Sequence, residues 1–120
     1  MADKTQVDVS TVDGILVVSL RQASIGGVAN FEDIAITLRG LLNPSDPQKM
    51  VIDFSQVSFF SSQVLGLLVD LWRRLKDAGG ALLISGINPQ LTRVFRITHL
   101  DKIFEFYENT EAAVSALHAL

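Results

Sequence analysis

Along the chain, short alternating or unbroken apolar runs are separated by longer stretches with helical spacing. Val7, Val9 and Thr11 alternate with Asp8 and Ser10, the period of a half-buried strand. Asp13-Gly14 stands between Val12 and Ile15. Asp-Gly between two apolar runs predicts a two-residue hairpin turn, because both turn positions need positive φ. Ile15 to Leu20 (ILVVSL) is then a second strand, antiparallel to the first, and its nearly unbroken apolar run predicts cover on both faces. Arg21 to Ala29 has no period, contains Gly26-Gly27 and reads as a loop. Asn30 is placed to cap a helix, with Asp33 favourable to its dipole. Phe31, Ile34, Ala35, Leu38, Leu41 and Leu42 make that helix's apolar stripe, until Pro44 and Pro47 forbid continuation. Met50 to Phe54 (MVIDF) predicts a short strand ending near Asp53.

The clearest helix carries Val64, Leu65, Leu68, Leu71, Trp72 and Leu75 on one face and Asp70, Arg73, Arg74, Lys76 and Asp77 on the other. Gly79-Gly80 stops it, since glycine accepts the left-handed cap conformation. Ala81 to Ser85 is a buried strand, and Asn88-Pro89 is a cap followed by proline at the first helical position, with Leu91, Val94 and Phe95 facing inward. Ile103, Phe104 and Phe106 predict a last strand, and Asn109 to Leu120 a closing helix with Ala112, Ala113, Ala116 and Leu117 as its small apolar face. The order is β-β-α-β-α-β-α-β-α. Strands alternating with helices imply right-handed crossovers and a mostly parallel sheet, the first strand being the antiparallel exception. Residues 1–5 read as a loose N-terminus.

Composition narrows the function. A chain of 120 residues has room for one domain, and with no cysteine it has no disulfide, thiol nucleophile or thiolate metal site. A net charge of −3 gives no footprint for nucleic acid. The longest uncharged stretch, Phe54 to Val69, holds four Ser and two Gln and is too short and polar to cross a bilayer. The opening Met1-Ala2-Asp3-Lys4 lacks a signal core, so a soluble cytoplasmic protein is expected. No phosphate-cradling glycine motif is present. His99 and His118 fall in separate elements without metal-ligand spacing. The expectation is a non-enzyme without catalytic residues, metal or cofactor.

Phe59 to Leu68 joins a buried strand to the strongest helix, with Ser61 and Ser62 where that helix must begin. The first N–H groups of a helix lack internal acceptors, so either hydroxyl can serve as a cap. A phosphate there would equally meet free N–H donors and the positive end of the helix dipole. Asp53, at a strand end, has the plain reading of a solvated or capping carboxylate.

These segments together resemble the STAS domain, a family named for sulfate transporters and anti-sigma factor antagonists. The resemblance spans residues 6–120 and is carried by three stretches. Val51-Ile52-Asp53-Phe54-Ser55-Gln56-Val57-Ser58-Phe59 is close to the family's V-x-D-L-S-x-V-x-F, Lys76 to Gly80 precedes a strand as in the family, and Pro89 to Phe104 resembles a stretch ending T-G-L-x-x-x-F. In the family's phosphorylation motif, D-S-[ST]-G-L-G, Leu65-Gly66 sets the register. Ser62 then falls on the phosphoacceptor, Ser61 replaces the Asp, Gln63 the second hydroxyl and Val64 the first Gly. Arg21 to Ile25 stands where antagonists often carry G-E-L-D.

The resemblance implies a single STAS-like α/β domain and a bacterial partner-switching regulator of transcription. It would bind an anti-sigma factor serine kinase, or a related signalling protein, and be switched by phosphorylation at Ser62, with Ser61 as the alternative acceptor. The expected contact loop is Phe60, Ser61, Ser62, Gln63 and Val64, at the sheet end to which Arg21 to Val28 also leads. No nucleic acid and no membrane insertion are expected, and the protein would be a monomer or a weak homodimer. The alternative is a phosphorylation-independent STAS scaffold or accessory subunit of a signalling complex or transporter, in which Ser62 is only a cap. The resemblance also allows nucleotide binding at the β-to-α loops, although no residue specifies it.

Overall fold

The computed structural model describes residues 7–22, 24–25 and 31–118. In chain order the elements are β1 (Val7–Val12), β2 (Ile15–Leu20), β3 (Ser24–Ile25), α1 (Phe31–Gly40), β4 (Lys49–Asp53), β5 (Phe59–Phe60), α2 (Ser62–Asp77), β6 (Ala81–Ser85), α3 (Pro89–Ile97), a 3-10 turn (Leu100–Lys102), β7 (Phe106–Tyr107) and α4 (Thr110–His118). The main sheet has the order β1-β2-β4-β6-β7, with β1 antiparallel to β2 and the other pairs parallel. A second sheet of two strands pairs β3 with β5.

The strand alternation explains the layers. Val18, Leu20, Met50, Ile52, Leu82 and Ile84 point to a core shared with α1, α2 and α3, while Ile15, Val17, Val51 and Leu83 point to Ala113, Val114 and Leu117 of α4. Three helices thus cover one face and a single helix the other. Both faces of β2 are covered, as its apolar run predicts. β1 differs from the expected half-buried strand: Val9 is 43% exposed and Val12 40%. The core under α4 takes its β2 residues from Ile15 and Val17 and none from β1.

The local signals act as their chemistry requires. Asp13 and Gly14 both have positive φ (52° and 82°), closing the β1–β2 hairpin. Gly79 is left-handed at φ 88°, and Gly80 donates to the Leu75 carbonyl at 2.7 Å to finish α2. A Cβ at Gly80 would lie 1.9 Å from the Gln48 carbonyl oxygen, so only glycine fits there. Asn88 caps α3, its side-chain oxygen accepting from the Leu91 N–H at 2.9 Å. Asp70 ties α2 to α1 by accepting from Arg39 Nε (3.2 Å) and Arg74 Nε (3.1 Å). Burial alone would raise the Asp70 pKa, but the two guanidinium groups outweigh it and hold the carboxyl below its ordinary value.

Several boundaries depart from the sequence reading. The loop expected from Arg21 to Ala29 contains β3. The Asn30 cap, Gly26-Gly27 and the loose residues 1–5 lie outside the described residues. The closing helix begins at Thr110, with Asn109 Oδ1 accepting from the Ala112 N–H at 2.8 Å, and its buried face is Ala113, Val114 and Leu117. The last strand is only Phe106–Tyr107. The chain before it is taken up by a left-handed turn at His99 (φ 63°, ψ 15°) and the 3-10 turn.

A left-handed backbone costs an L side chain roughly 1–2 kcal/mol, partly relieved for histidine. His99→Gly should therefore raise stability by about 0.5–1 kcal/mol, even after the greater entropy of an unfolded glycine chain. The corresponding rise in Tm is roughly 2–5 °C by thermal unfolding. An unchanged or lower Tm would show that His99 makes a stabilising contact of its own.

Candidate functional site

The site is built where the chain leaves β4 and enters α2. Phe54 is fully buried, and the turn beyond Asp53 is held by that residue's carboxylate. Asp53 Oδ2 accepts from Ser55 Oγ (2.8 Å), and Oδ1 accepts from Ser85 Oγ (3.2 Å) and the Ser55 N–H (3.3 Å). Ser85 has no exposed surface, and its hydroxyl also meets Thr110 Oγ1 at 3.3 Å, so one buried hydroxyl links β4, β6 and α4. Of the plain readings of Asp53, capping is the one the geometry supports: its carboxylate closes an Asx-type turn.

The chain then forms β5. Phe59 pairs with Ser24 and Phe60 with Ile25 of β3. Phe60 is buried edge-on against Phe54 and Phe95, both at 5.8 Å between ring centroids. Such aromatic pairs contribute about 0.5–1.5 kcal/mol each beyond their area. Phe59, on the opposite face of the strand, is 58% exposed. The Ser61 N–H donates to the Ile25 carbonyl at 3.0 Å, which fastens the last residue before the helix to β3.

Ser61 is the N-cap of α2, with extended backbone (φ −84°, ψ 167°), and its carbonyl accepts from the Val64 N–H at 3.0 Å. Its hydroxyl does not cap. Ser61 Oγ is buried and has no hydrogen-bond partner among the described residues. Ser62 is the first helical residue, not the cap, and it is exposed. No acidic residue lies in the first turn of α2, so the positive end of the helix dipole is uncompensated there. Gln63 and Gly66 are exposed beside Ser62, and a Cβ at Gly66 would find nothing within 4 Å.

Of the five residues expected in the contact loop, Ser62 and Gln63 face solvent and Ser61 is half-buried. Phe60 and Val64 are a correction: they are 6% and 2% exposed and belong to the core, because Phe60 is the inward residue of β5 and Val64 lies on the inner stripe of α2. Phe59, not Phe60, is the exposed ring beside the loop. The period of two in Phe59-Phe60 was the available signal, but two residues cannot say which ring faces in. Ser24 and Ile25 do lie beside the loop, through their pairing with β5. Among the described residues, no group of three His, Asp or Glu is placed to hold a metal ion, and no helix is long and apolar enough to cross a membrane.

The sequence matches the model of the STAS domain over residues 6–113, and the chain belongs to that family. It is 25% identical over 105 residues, 88% of each chain, to BtrV of Bordetella bronchiseptica, a candidate anti-sigma factor antagonist. An anti-sigma factor antagonist (STAS) domain protein from Planctomyces limnophilus has a similar structure, with a TM-score of 0.82 at 26% identity, over 93% of this chain and 97% of that one. The fold is also that of the anti-sigma factor antagonist SpoIIAA from Bacillus. Its unphosphorylated form aligns at a TM-score of 0.73 and 15% identity over 95% of this chain and 97% of that one, and its phosphorylated form at 0.66 and 18% over 92% and 97%.

The orphan hydroxyl gives a test of the local physics. Asn88→Ala removes a working cap and should cost about 1 kcal/mol. Ser61→Ala removes a buried hydroxyl that makes no bond, so it should leave stability unchanged or raise it by up to about 1 kcal/mol. Thermal unfolding of both variants checks this; an equal loss in the two would mean that Ser61 caps α2 in solution.

Proposed function

We propose that this chain is a cytoplasmic anti-sigma factor antagonist that docks through the exposed start of α2 and is switched by phosphorylation of Ser62. The carrying observation is that Ser62 is exposed between buried Phe60 and buried Val64. A visiting kinase can reach its hydroxyl without unfolding the loop. The partner is a serine kinase that also acts as the anti-sigma factor, a separate chain. Antagonist names among the relatives and the SpoIIAA fold, which exists in both phosphorylation states, support this reading.

The surface around Ser62 suits docking. Phe59 offers an exposed apolar ring, and Gly66, one turn from Ser62, leaves the helix face flat. Glycine inside a helix costs roughly 0.5–1 kcal/mol relative to alanine, and no internal contact of Gly66 requires it. A partner packing on this face would find it open. A phosphoryl group on Ser62 adds about −1.5 to −2 charge at pH 7. The dipole of α2 accepts that charge in the free protein. Within a contact surface the same charge must be desolvated, which is costly without a paired cation. Phosphorylation thus leaves the fold intact and opposes docking.

Ser62→Ala should bind the kinase like the parent, whereas Ser62→Asp should bind at least roughly tenfold more weakly, a loss of about 1.4 kcal/mol. Gly66→Arg should weaken binding as well, while Gly66→Ala should keep binding and raise stability. Calorimetric titration with the purified partner kinase measures all four. Equal affinity of the Ala and Asp variants at Ser62 would instead support a phosphorylation-independent scaffold, the reading favoured by Ser61 in place of the motif's Asp.

A further inference from the structure

The far end of α2 borders a second feature, unconnected with Ser62. β6 has five residues but β7 pairs only with Ile84 and Ser85, so among the described residues no strand lies beside Ala81 to Leu83 on that edge. A cleft of about 480 Å³ opens there, within the size range of small-molecule sites. The backbone edge of β6 at Leu82 and Leu83 lines it, with Trp72 of α2, Ile103 and Tyr107 of β7 around it. Its charged groups are Lys76, Lys102 and Glu105. Glu105 is already engaged, accepting from the Tyr107 hydroxyl at 2.7 Å, and Lys76 Nζ lies 4.8 Å from the centre of the Trp72 ring. Lys102 has no acidic partner among the described residues. The cleft therefore joins an apolar, aromatic interior to an excess of positive charge, in a chain whose net charge is −3.

We propose that this cleft binds a small amphipathic organic anion, with a planar apolar body beside Trp72 and Ile103 and a carboxylate or phosphate held by Lys76 and Lys102. The site is at the end of the sheet where β6 begins, whereas Ser62 follows the end where β4 and β5 finish. Its occupancy is independent of the phosphorylation reading.

Trp72 is the only tryptophan in the chain, so its fluorescence reports on the cleft alone. The probes are 3-phenylpropionate and its neutral counterpart 3-phenylpropionamide, titrated into the full chain. Backbone amide shifts of Gly80 to Leu83 and Lys102 to Glu105 locate the binding. The acid should change Trp72 emission and those shifts saturably, and the amide should bind roughly tenfold more weakly, the value of a charge-assisted contact. Lys76→Gln combined with Lys102→Gln, both at exposed positions, should abolish the preference for the acid, and Lys102→Gln alone should reduce it. The proposal is overturned by no saturable change at the cleft amides, by equal binding of acid and amide, or by a preference that survives the double substitution.

Discussion

Phe60 is buried and Ser62, two residues on, is exposed. That contrast depends on the pairing of β3 with β5. Ser24 and Ile25 hold Phe59 and Phe60 extended, and the Ser61 N–H is bonded to the Ile25 carbonyl. An extended strand sends neighbouring side chains to opposite sides. Phe60 therefore enters the core between Phe54 and Phe95, and Phe59 stays outside. With the chain fastened there, Ser61 becomes the N-cap and α2 begins at Ser62, which is exposed. Without the pairing, the same residues would form a loop whose serine had no fixed relation to the helix dipole.

Most of the architecture could be read from the sequence because its strongest signals are local. The Asp13-Gly14 turn, the Asn88-Pro89 cap and the Gly79-Gly80 stop each need a particular backbone conformation that few residues supply. The apolar runs of β2, β4 and β6 fill both faces of a central sheet, and no other placement would bury them. What escaped was non-local. β3 and β5 are two residues each and exist only through each other, so neither has a period to detect. The exposure of Val9 and Val12 depends on how far the helices on each face reach past β2 toward the edge strand: Val9 pairs with Val18 on the α1–α3 side and Val12 with Ile15 on the α4 side. Even the fate of Ser61 is of this kind. A serine before an apolar helix predicts a cap, but fastening its N–H to β3 accompanies a hydroxyl that meets no partner among the described residues.

α2 connects these observations. Its N-terminus presents Ser62 with no acidic neighbour in the first turn, its inner stripe fills the main core, and its last turns carry Trp72 and Lys76 at the edge of the open cleft. The helix is also tied to α1 through Asp70, Arg39 and Arg74. A charge placed at Ser62 thus acts on a rigid, well-packed element. Its effect is confined to whatever touches the surface, and the fold itself need not respond. That division is what the proposed switch requires, since its two states would share one structure.

The most direct measurement is the mass and site of modification of the protein isolated from its own cells. A phosphoryl group on Ser62 in part of the population, with Ser61 unmodified, is the expected result. Ser62 found bare both when the partner is bound and when it has been released would contradict the switch.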